Sequence, residues 1–254
     1  MSLDEPLSER RPNTIGATGG SGTRVVARIV REGGMFIGTN LNRYEDALDF
    51  AGFSDRWINT FVSSNSDLAP ADWEEMNDDL ASVVATHVLE QPSGTPWGWK
   101  EPRSIYLLPF YHRVMPELRF LHFIRDGRDM AFSENQNQLT KHGEAVLDET
   151  ALGWRKPVQS IALWTRVNLQ AADYGEREMG DQYLRVSFEE LCTDPAPTVE
   201  RIYAFFGLDG DSARVAQEEV RPPDTLGRWQ RKRDKVVDEL NRVAEPALSR
   251  FGYL

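Results

Sequence analysis

A glycine-rich turn close to the start of the chain constrains the fold more than any other feature. Residues 14–24 read TIGATGGSGTR, in which an apolar run gives way to a turn with four glycines, and the amphipathic segment 25–30 follows at once. An apolar strand, a glycine turn and a helix in this order predict a βαβ unit of a parallel sheet. The turn also predicts a phosphate site, because glycines let backbone N–H groups approach an anion and the helix presents the positive end of its dipole.

The glycine spacing alone leaves the class of phosphate compound open. Gly16, Gly19 and Gly22 fit the GxxGxxG pattern of NAD(P)-binding dehydrogenases, although no tyrosine in the chain has the lysine four residues later that ordinary members use. A nucleoside triphosphate P-loop in this register would need lysine at position 23 and serine or threonine at 24, where Thr23 and Arg24 stand. A dehydrogenase-like or nucleotide-sensing protein and a small-molecule kinase therefore remain as alternatives.

Composition and charge narrow the class of protein further. The chain has 254 residues and 40% hydrophobic content, which predicts a single domain over residues 14–254 after a flexible tail at residues 1–13. A formal net charge of −11 disfavours nucleic acid as a partner. The lone Cys192 rules out a disulfide framework, and no Cys or His spacing predicts a metal site. Because no signal peptide or membrane-spanning run is found, we expect a soluble cytoplasmic protein.

Short apolar runs alternate with helical patterns along the chain. The first strand is predicted to end at Ile15, and four more strands are predicted over residues 35–38, 97–100, 119–124 and 183–188. Helices are predicted over residues 22–32, 71–90, 102–115, 129–139, 153–179, 195–206 and 234–251. This alternation predicts an α/β fold of three layers, in which a central, mainly parallel β-sheet is flanked by helices.

A charged cluster follows the apolar strand at residues 119–124. Arg125 comes directly after the strand, and Ser133 stands eight residues later. The carboxyl ends of strands are where open α/β sheets bind their ligands, and a guanidinium fork suits phosphate oxygens. Taken by itself, the cluster also fits an ion pair of Arg125 with Asp126 or Asp129.

Five separated blocks, in order along the chain, make this sequence resemble the PAPS-dependent sulfotransferases, and most closely their bacterial members. The blocks are residues 21–23 (SGT), 99–102 (WKEP), 119–133 (RFLHFIRDGRDMAFS), 186–195 with 205–208 (VSFEELCTDP and FFGL), and 227–229 (GRW). The resemblance implies a P-loop-like fold and transfer of a sulfuryl group from PAPS to a hydroxyl or an amine. It implies no metal.

The same resemblance implies where the donor binds. Arg125 and Ser133 match the two residues that hold the 3′-phosphate in the family. The 5′-phosphate is expected on the turn formed by Gly20, Ser21, Gly22, Thr23 and Arg24, and the loop Gly227, Arg228 and Trp229 is expected to fold over the nucleotide. Gly20 stands where relatives carry lysine or arginine. Arg24 either supplies the missing charge or points to the 3′-phosphate or to solvent.

The catalytic groups implied by the resemblance are a lysine and a base. Lys100 matches the lysine of the family's Lys-x-Pro element, which contacts the leaving phosphate. Pro102 stands where some relatives have a basic histidine, so the base is expected in the segment after the second strand, as Glu45 or Asp46. His142 and Glu101 are further candidates. Segments 40–96 and 134–160 are expected to form the pocket for an acceptor that is a small molecule, a lipid or a glycan.

Overall fold

A parallel β-sheet forms the centre of the molecule in the computed structural model, which describes residues 6–254. Its strands are β1 (Asn13–Gly16), β2 (Gly98–Lys100), β3 (Arg119–Ile124) and β4 (Tyr183–Ser187), in the spatial order β2-β1-β3-β4. All neighbouring strands run parallel, with Ile15 opposite both Lys100 and Leu121. The carboxyl ends of β1, β2 and β3 therefore meet at one edge of the sheet.

The predicted strand at residues 35–38 is reduced to a single parallel bridge between Phe36 and Trp97. The reason lies at Gly38, whose φ of 95° turns the chain out of the extended conformation. A Cβ at Gly38 would lie 2.3 Å from the buried ring of His87, so no larger residue fits there. The sheet thus gains one bridge beyond β2 instead of a fifth full strand.

Helices cover both faces of the sheet. They are α1 (Thr23–Glu32), α2 (Leu48–Ser63), α3 (Pro70–His87), α4 (Leu108–Val114), α5 (Gly127–Ala131), α6 (Asn137–Val146), α7 (Glu149–Leu152), α8 (Lys156–Tyr174), α9 (Phe188–Thr193), α10 (Pro195–Phe206), α11 (Ser212–Glu219) and α12 (Asp234–Arg250).

Alternate residues of β3 point to opposite faces of the sheet and join different parts of the core. Leu121 and Phe123 pack with apolar residues of α1, α10 and α11. Phe120 packs on the opposite face, with Trp99 and with residues of α2, α3 and α4. Ile124, at the end of the strand, joins a third cluster with α5, α8 and α12. This alternation gives the three layers that the sequence predicts.

Two predicted helices have different limits. Residues 102–115 begin with a 3₁₀ turn over Pro102–Leu107 before α4. The predicted helix 129–139 is broken into α5 and α6, because the Gln136 amide donates to the carbonyls of Met130 (3.1 Å) and Ser133 (2.8 Å) and so ends the first helix. Ser133 consequently lies in a loop and not on a helix. Helix α2, in the segment 40–70, was not predicted.

The predicted N-terminal tail lies partly outside the described residues, which begin at residue 6. Leu7–Glu9 form one 3₁₀ turn, and the Arg10 side chain is buried. Asn13 already belongs to β1, where its N–H donates to the Trp97 carbonyl at 2.9 Å. The last residues of the predicted tail, up to Asn13, therefore pack as part of the folded domain.

Candidate active site

One large cavity opens at the carboxyl ends of β1, β2 and β3. Its volume is about 1200 Å³. The walls come from the β1–α1 turn, from the residues that follow β2 and β3, and from the loop before α12. Of the predicted site residues, the cavity is lined by Gly20, Gly22, Thr23, Arg24, Asp46, Lys100, Arg125, Ser133 and Arg228. Fold topology therefore brings together groups that are up to two hundred residues apart in the sequence.

The glycine turn takes a shape that only glycine allows. Gly20 and Gly22 have φ values of 88° and 84°, in the left-handed region. A Cβ at Gly22 would lie 2.7 Å from the ring of Phe188, and one at Gly20 would lie 3.1 Å from the Ser133 hydroxyl. The close approach to Ser133 places the turn directly beside the loop that follows α5.

Ser21 was predicted to belong to the phosphate site, but it does not line the cavity. Its side chain is buried, and its hydroxyl donates to the Thr18 carbonyl at 2.7 Å. A buried hydroxyl needs a hydrogen-bond partner, and the turn itself supplies one here. The Ser21 hydroxyl therefore stabilises the turn, whereas Thr23 next to it lines the cavity.

Arg125 is buried in the cavity wall with part of its hydrogen-bonding capacity unused. One terminal nitrogen, Nη2, donates to Asp129 Oδ2 (2.8 Å) and to the Thr225 carbonyl (2.6 Å), and the guanidinium lies 4.8 Å from the centre of the Phe188 ring. Its Nε is buried and has no hydrogen-bond partner among residues 6–254. The ion pair with Asp129 that the sequence allowed is present, and it coexists with a position on the cavity.

Asp129 organises the loop before α12, a role that the sequence did not indicate. Besides its contact with Arg125, Oδ2 accepts the N–H of Gly227 at 2.8 Å, and Oδ1 accepts the N–H of Trp229 at 3.2 Å. Only 1% of the Asp129 surface is exposed, so these bonds are shielded from water. One buried carboxylate thus joins Arg125, which follows β3, to the C-terminal loop.

The C-terminal loop contributes Arg228 to the cavity, while Gly227 and Trp229 are not among the lining residues. Arg228 donates to the Phe132 carbonyl at 3.3 Å, and burial, together with the nearby charge of Arg125, lowers its pKa. The guanidinium of Arg128 instead lies over the Trp229 ring, 3.8 Å from the centre of the ring. The Trp229 indole thus anchors the loop, and its contact with the donor stays a prediction.

Lys100 and Asp46 form an ion pair on the cavity wall. Lys100 is 1% exposed, and its ammonium donates to the Tyr44 carbonyl at 2.6 Å and to Asp46 Oδ1. Burial lowers the pKa of the Lys100 ammonium, and the adjacent Asp46 carboxylate opposes this effect. The second oxygen of Asp46 accepts the Asn42 amide at 2.9 Å. A lysine and a carboxylate, the two functions expected of the site, are thus in direct contact.

Glu45 points away from the cavity, so the structure separates the two candidate bases. Its carboxylate accepts Arg28 Nε and Arg31 Nη1 of α1, both at 3.1 Å. Its backbone has a φ of 63°, which is rare for a residue with a side chain. This left-handed conformation directs Glu45 towards α1 while its neighbour Asp46 faces Lys100. Of the pair, only Asp46 has the position of a base.

The further candidates Glu101 and His142 are both engaged in the protein interior. Glu101 lines the cavity, but it accepts Arg103 Nε at 2.8 Å and the Ser54 hydroxyl at 3.3 Å. Burial raises the pKa of Glu101, and Arg103 opposes that change. His142 is not among the lining residues, it contacts Asn59 at 2.8 Å, and burial lowers its pKa to about 4.

Comparison with known proteins agrees with this geometry. A family model described as the sulfotransferase family matches residues 22–212, which is most of the chain. The chain belongs to the sulfotransferase family. A putative protein-tyrosine sulfotransferase from Caenorhabditis elegans is 24% identical over 179 residues, or 70% of this sulfotransferase and 60% of that protein. The match therefore spans less than two thirds of the relative's own length.

Solved structures of sulfotransferases share the fold. The sulfotransferase domain of the olefin synthase from Synechococcus PCC 7002 superposes with a TM-score of 0.58 at 16% identity, with 96% of both chains covered. A sulfotransferase from Mycobacterium avium gives a TM-score of 0.57 at 14% identity, covering 97% of this chain and 78% of the other. These similarities confirm the predicted three-layer, P-loop-like fold.

Arg24 of this sulfotransferase lies on the Lys100 side of the cavity. Its guanidinium is 5.9 Å from the centre of the Tyr44 ring, and the Tyr44 carbonyl accepts the Lys100 ammonium. Arg24 is exposed, and it has no ion pair or side-chain hydrogen bond among residues 6–254. Arg24 therefore lines the cavity beside the Tyr44 ring with its guanidinium open to solvent, and its contact with the donor stays a prediction.

The described part of the sulfotransferase shows neither a metal site nor a membrane-spanning helix. Between residues 6 and 254, no three His, Cys, Asp or Glu side chains are grouped so that they could hold a metal ion. Over the same range, no helix has both the length and the apolar character needed to cross a membrane. The cytoplasmic location stays a prediction from the sequence.

Proposed function

We propose that this sulfotransferase uses PAPS as its donor and transfers the sulfuryl group to a hydroxyl or an amine of an acceptor. The observation that carries the proposal is a single cavity that joins the glycine turn, Arg125 and Ser133 to the Lys100–Asp46 pair. The structure of retinol dehydratase, a protein of similar fold, was solved with androsterone and the inactive cofactor PAP. It superposes on this chain with a TM-score of 0.51 at 12% identity. That relative supports a nucleotide with the same two phosphate groups here.

The residues around Arg125 suit a phosphate. A buried guanidinium N–H without a partner is unfavourable by about 1–3 kcal/mol, and a phosphate oxygen at Nε would satisfy it. The Ser133 hydroxyl lies on the same wall, beside Gly20. We therefore assign the 3′-phosphate to Arg125 and Ser133, and the 5′-phosphosulfate to the glycine turn with Thr23.

The wall beyond Arg125 suits the base of the nucleotide. Phe188, Leu191, Val220 and Pro223 line this part of the cavity and present apolar surface. A planar purine gains free energy from burial against such groups. A donor placed between this wall and the glycine turn would direct its sulfuryl end towards Lys100 and Arg24.

The Lys100–Asp46 pair supplies the two functions that transfer requires. In the reaction, the S–O bond to the donor phosphate breaks, an S–O bond to the acceptor oxygen or nitrogen forms, and the acceptor loses a proton. Asp46 accepts that proton. Lys100 donates a hydrogen bond to the phosphate oxygen on which negative charge accumulates, and its burial strengthens this interaction. Arg24 adds a second positive charge on the same side.

Calorimetric titration of the protein with PAP, NADP and ATP tests the donor. We expect PAP to bind with a dissociation constant at least tenfold below those of NADP and ATP, because only PAP matches both phosphate positions, and one charged hydrogen bond contributes about 1.5–3 kcal/mol. The matched variant is Arg125→Ala, in which the affinity for PAP should fall more than the affinities for NADP and ATP. Tight binding of NADP or ATP without binding of PAP would refute the proposed donor.

A further inference from the structure

The cavity wall beyond Lys100 forms a distinct acceptor half, made by lining residues of segments 42–51, 101–103 and 134–141. These segments are linked to one another by direct contacts. Lys141 of α6 donates to Asp55 Oδ1 of α2 at 2.6 Å, and Arg103 pairs with the same carboxylate and with Glu101. The Asn59 amide of α2 also donates to the Lys141 carbonyl, at 3.0 Å. The acceptor half is therefore one connected surface.

The acceptor half is polar almost throughout. Of its thirteen lining residues, only Tyr44, Ala51 and Pro102 present apolar or aromatic surface, and the other ten carry amides or charges. An apolar acceptor such as a sterol or a long-chain alcohol would remove water from those groups that lack a protein partner, such as the Asn137 amide, without replacing their hydrogen bonds, which is unfavourable for each such group. The composition of the wall thus selects against an apolar acceptor.

Several polar groups of this half have hydrogen-bonding capacity to spare. The Asn137 side chain has no hydrogen bond among residues 6–254, and Arg43 has no carboxylate partner there. Arg43 instead contacts the phenol of Tyr44, with its guanidinium 4.6 Å from the centre of the ring. Tyr44 is 45% exposed. One open aromatic face, the free amide of Asn137 and the guanidinium of Arg43 therefore line the same cavity as Lys100 and Asp46.

We propose that the acceptor is a hydroxyl group of a carbohydrate, an inference that rests on the proposed sulfuryl transfer. Amide side chains exchange hydrogen bonds with sugar hydroxyls, and the Tyr44 face can cover the C–H surface of a sugar ring. Arg43 suits a carboxylate or sulfate on a neighbouring sugar. The carbohydrate oxygen forms the new S–O bond, the S–O bond to the donor phosphate breaks, and the hydroxyl proton passes to Asp46. The products are PAP and a carbohydrate sulfate ester.

An acceptor panel with radiolabelled PAPS tests the inference. The probes are a glycan array, a desulfated heparin oligosaccharide, a neutral glucan oligosaccharide, p-nitrophenol, a sterol and a tyrosine peptide with flanking glutamates. We expect the best carbohydrate to exceed every other probe in kcat/KM by at least about tenfold, the effect of one or two well-made hydrogen bonds. PAP titration of the same sample reports on the donor site separately.

Two variants test which residues recognise the carbohydrate acceptor. Arg43→Ala and Asn137→Leu should each raise KM for the best carbohydrate by about tenfold, because each removes a polar contact, while the dissociation constant for PAP stays unchanged. Arg242→Ala is the matched control, since Arg242 is exposed on α12 and does not line the cavity. An unchanged KM in both variants would contradict the assigned surface.

Other outcomes of the panel decide between acceptor classes. If the peptide, the phenol or the sterol is the best acceptor, the carbohydrate assignment is wrong although the protein is still a PAPS-dependent enzyme. Bound PAP together with no transfer to any glycan of the array also overturns it. Failure to bind PAP would instead count against the proposed donor.

Discussion

Lys100 is almost completely buried, and two of its three ammonium N–H groups have partners, the Tyr44 carbonyl and Asp46. If it stabilises the charge on the leaving phosphate, its contribution is made mainly in the transition state. We therefore expect Lys100→Ala to lower kcat by about 10²–10³-fold, the effect of losing one such donor, with little change in PAP affinity. Single-turnover kinetics and calorimetry measure the two quantities. Lys235→Ala, at an exposed lysine of α12 outside the cavity, is the control, and normal turnover in the Lys100 variant would contradict the assignment.

Asp46 and Glu45 are adjacent in sequence but serve different contacts. Asp46→Asn cannot take a proton and should lower kcat by about 10²–10⁴-fold, the usual contribution of a general base. Glu45→Gln loses partly exposed ion pairs with Arg28 and Arg31, so we expect less than about a fivefold change. Steady-state rates of both variants under saturating donor make the comparison. Equal and large losses would show that the two carboxylates act together.

The pH dependence of turnover reports on Lys100. The ammonium form is the active one, and burial lowers its pKa below the ordinary 10.5, so kcat should begin to fall at a pH below that value. Asp46 raises the same pKa, and Asp46→Asn should therefore move the alkaline limb of the residual activity to lower pH. Rates measured between neutral and alkaline pH check both statements. A limb in the Asp46 variant at higher pH than in the wild type would contradict the role of this ion pair.

At the scale of elements, the loop before α12 depends on helix α5 through Asp129. Asp129→Asn keeps an oxygen for one N–H but removes the charge that pairs with Arg125. Hydrogen bonds to charged groups contribute about 1.5–3 kcal/mol, so PAP affinity should fall by about 10–100-fold. Calorimetry measures the affinity, and limited proteolysis measures exposure of the loop. Asp181→Asn, at an exposed aspartate outside the cavity, should change neither.

The four strands of the sheet and the glycine turn were predicted well because their signals are local, whereas the predicted strand at residues 35–38 is reduced to one bridge. The apolar run 119–124 coincides with β3, and the predicted first helix differs from α1 by one residue at its start. The break between α5 and α6 could not be predicted in this way, since it depends on the Gln136 side chain reaching two carbonyls. Helix α2 was not predicted, although its sequence carries the signal: the buried residues of the helix stand at helical spacing, as Phe50, Phe53, Trp57, Ile58 and Phe61.

The candidate site shows the same division between local and distant causes. Arg125, Ser133 and Lys100 were located through short motifs, and each lines the cavity. The choice between Glu45 and Asp46 depends on the backbone conformation at Glu45, which neighbouring residues do not determine in an obvious way. The bonds of Asp129 to a loop about a hundred residues later likewise arise only from the tertiary fold.

At the scale of the whole molecule, the buried side chains of His122 and His142 make the free energy of unfolding depend on pH in the acid range. Burial lowers the pKa of both His122 and His142 to about 4, compared with 6.5 for the exposed group. Between these values the unfolded chain binds more protons, so the free energy of unfolding should decrease as the pH falls from about 6.5 to about 4. For the fully buried His122 the loss amounts to roughly 3 kcal/mol.

Chemical denaturation across this pH range measures the effect. In His122→Gln the decrease between neutral pH and the acid end should be smaller than in the wild type, even though the variant is less stable at neutral pH. The wild-type ring contacts Asn168 at 2.8 Å and Tyr183 at 2.6 Å, which explains that lower stability. An identical decrease in both proteins would contradict the contribution of His122.

The division of the cavity into two halves bears on how acceptor preference can change through substitutions. The proposed donor half is built by the glycine turn, the end of β3 and the loop before α12, whereas the proposed acceptor half is built by segments 42–51, 101–103 and 134–141. Apart from Asp46, substitutions within segments 42–51 and 134–141 leave the donor contacts in place. If the two halves bind the proposed donor and acceptor, substitutions in these two segments can change acceptor preference without altering the residues proposed to hold the donor.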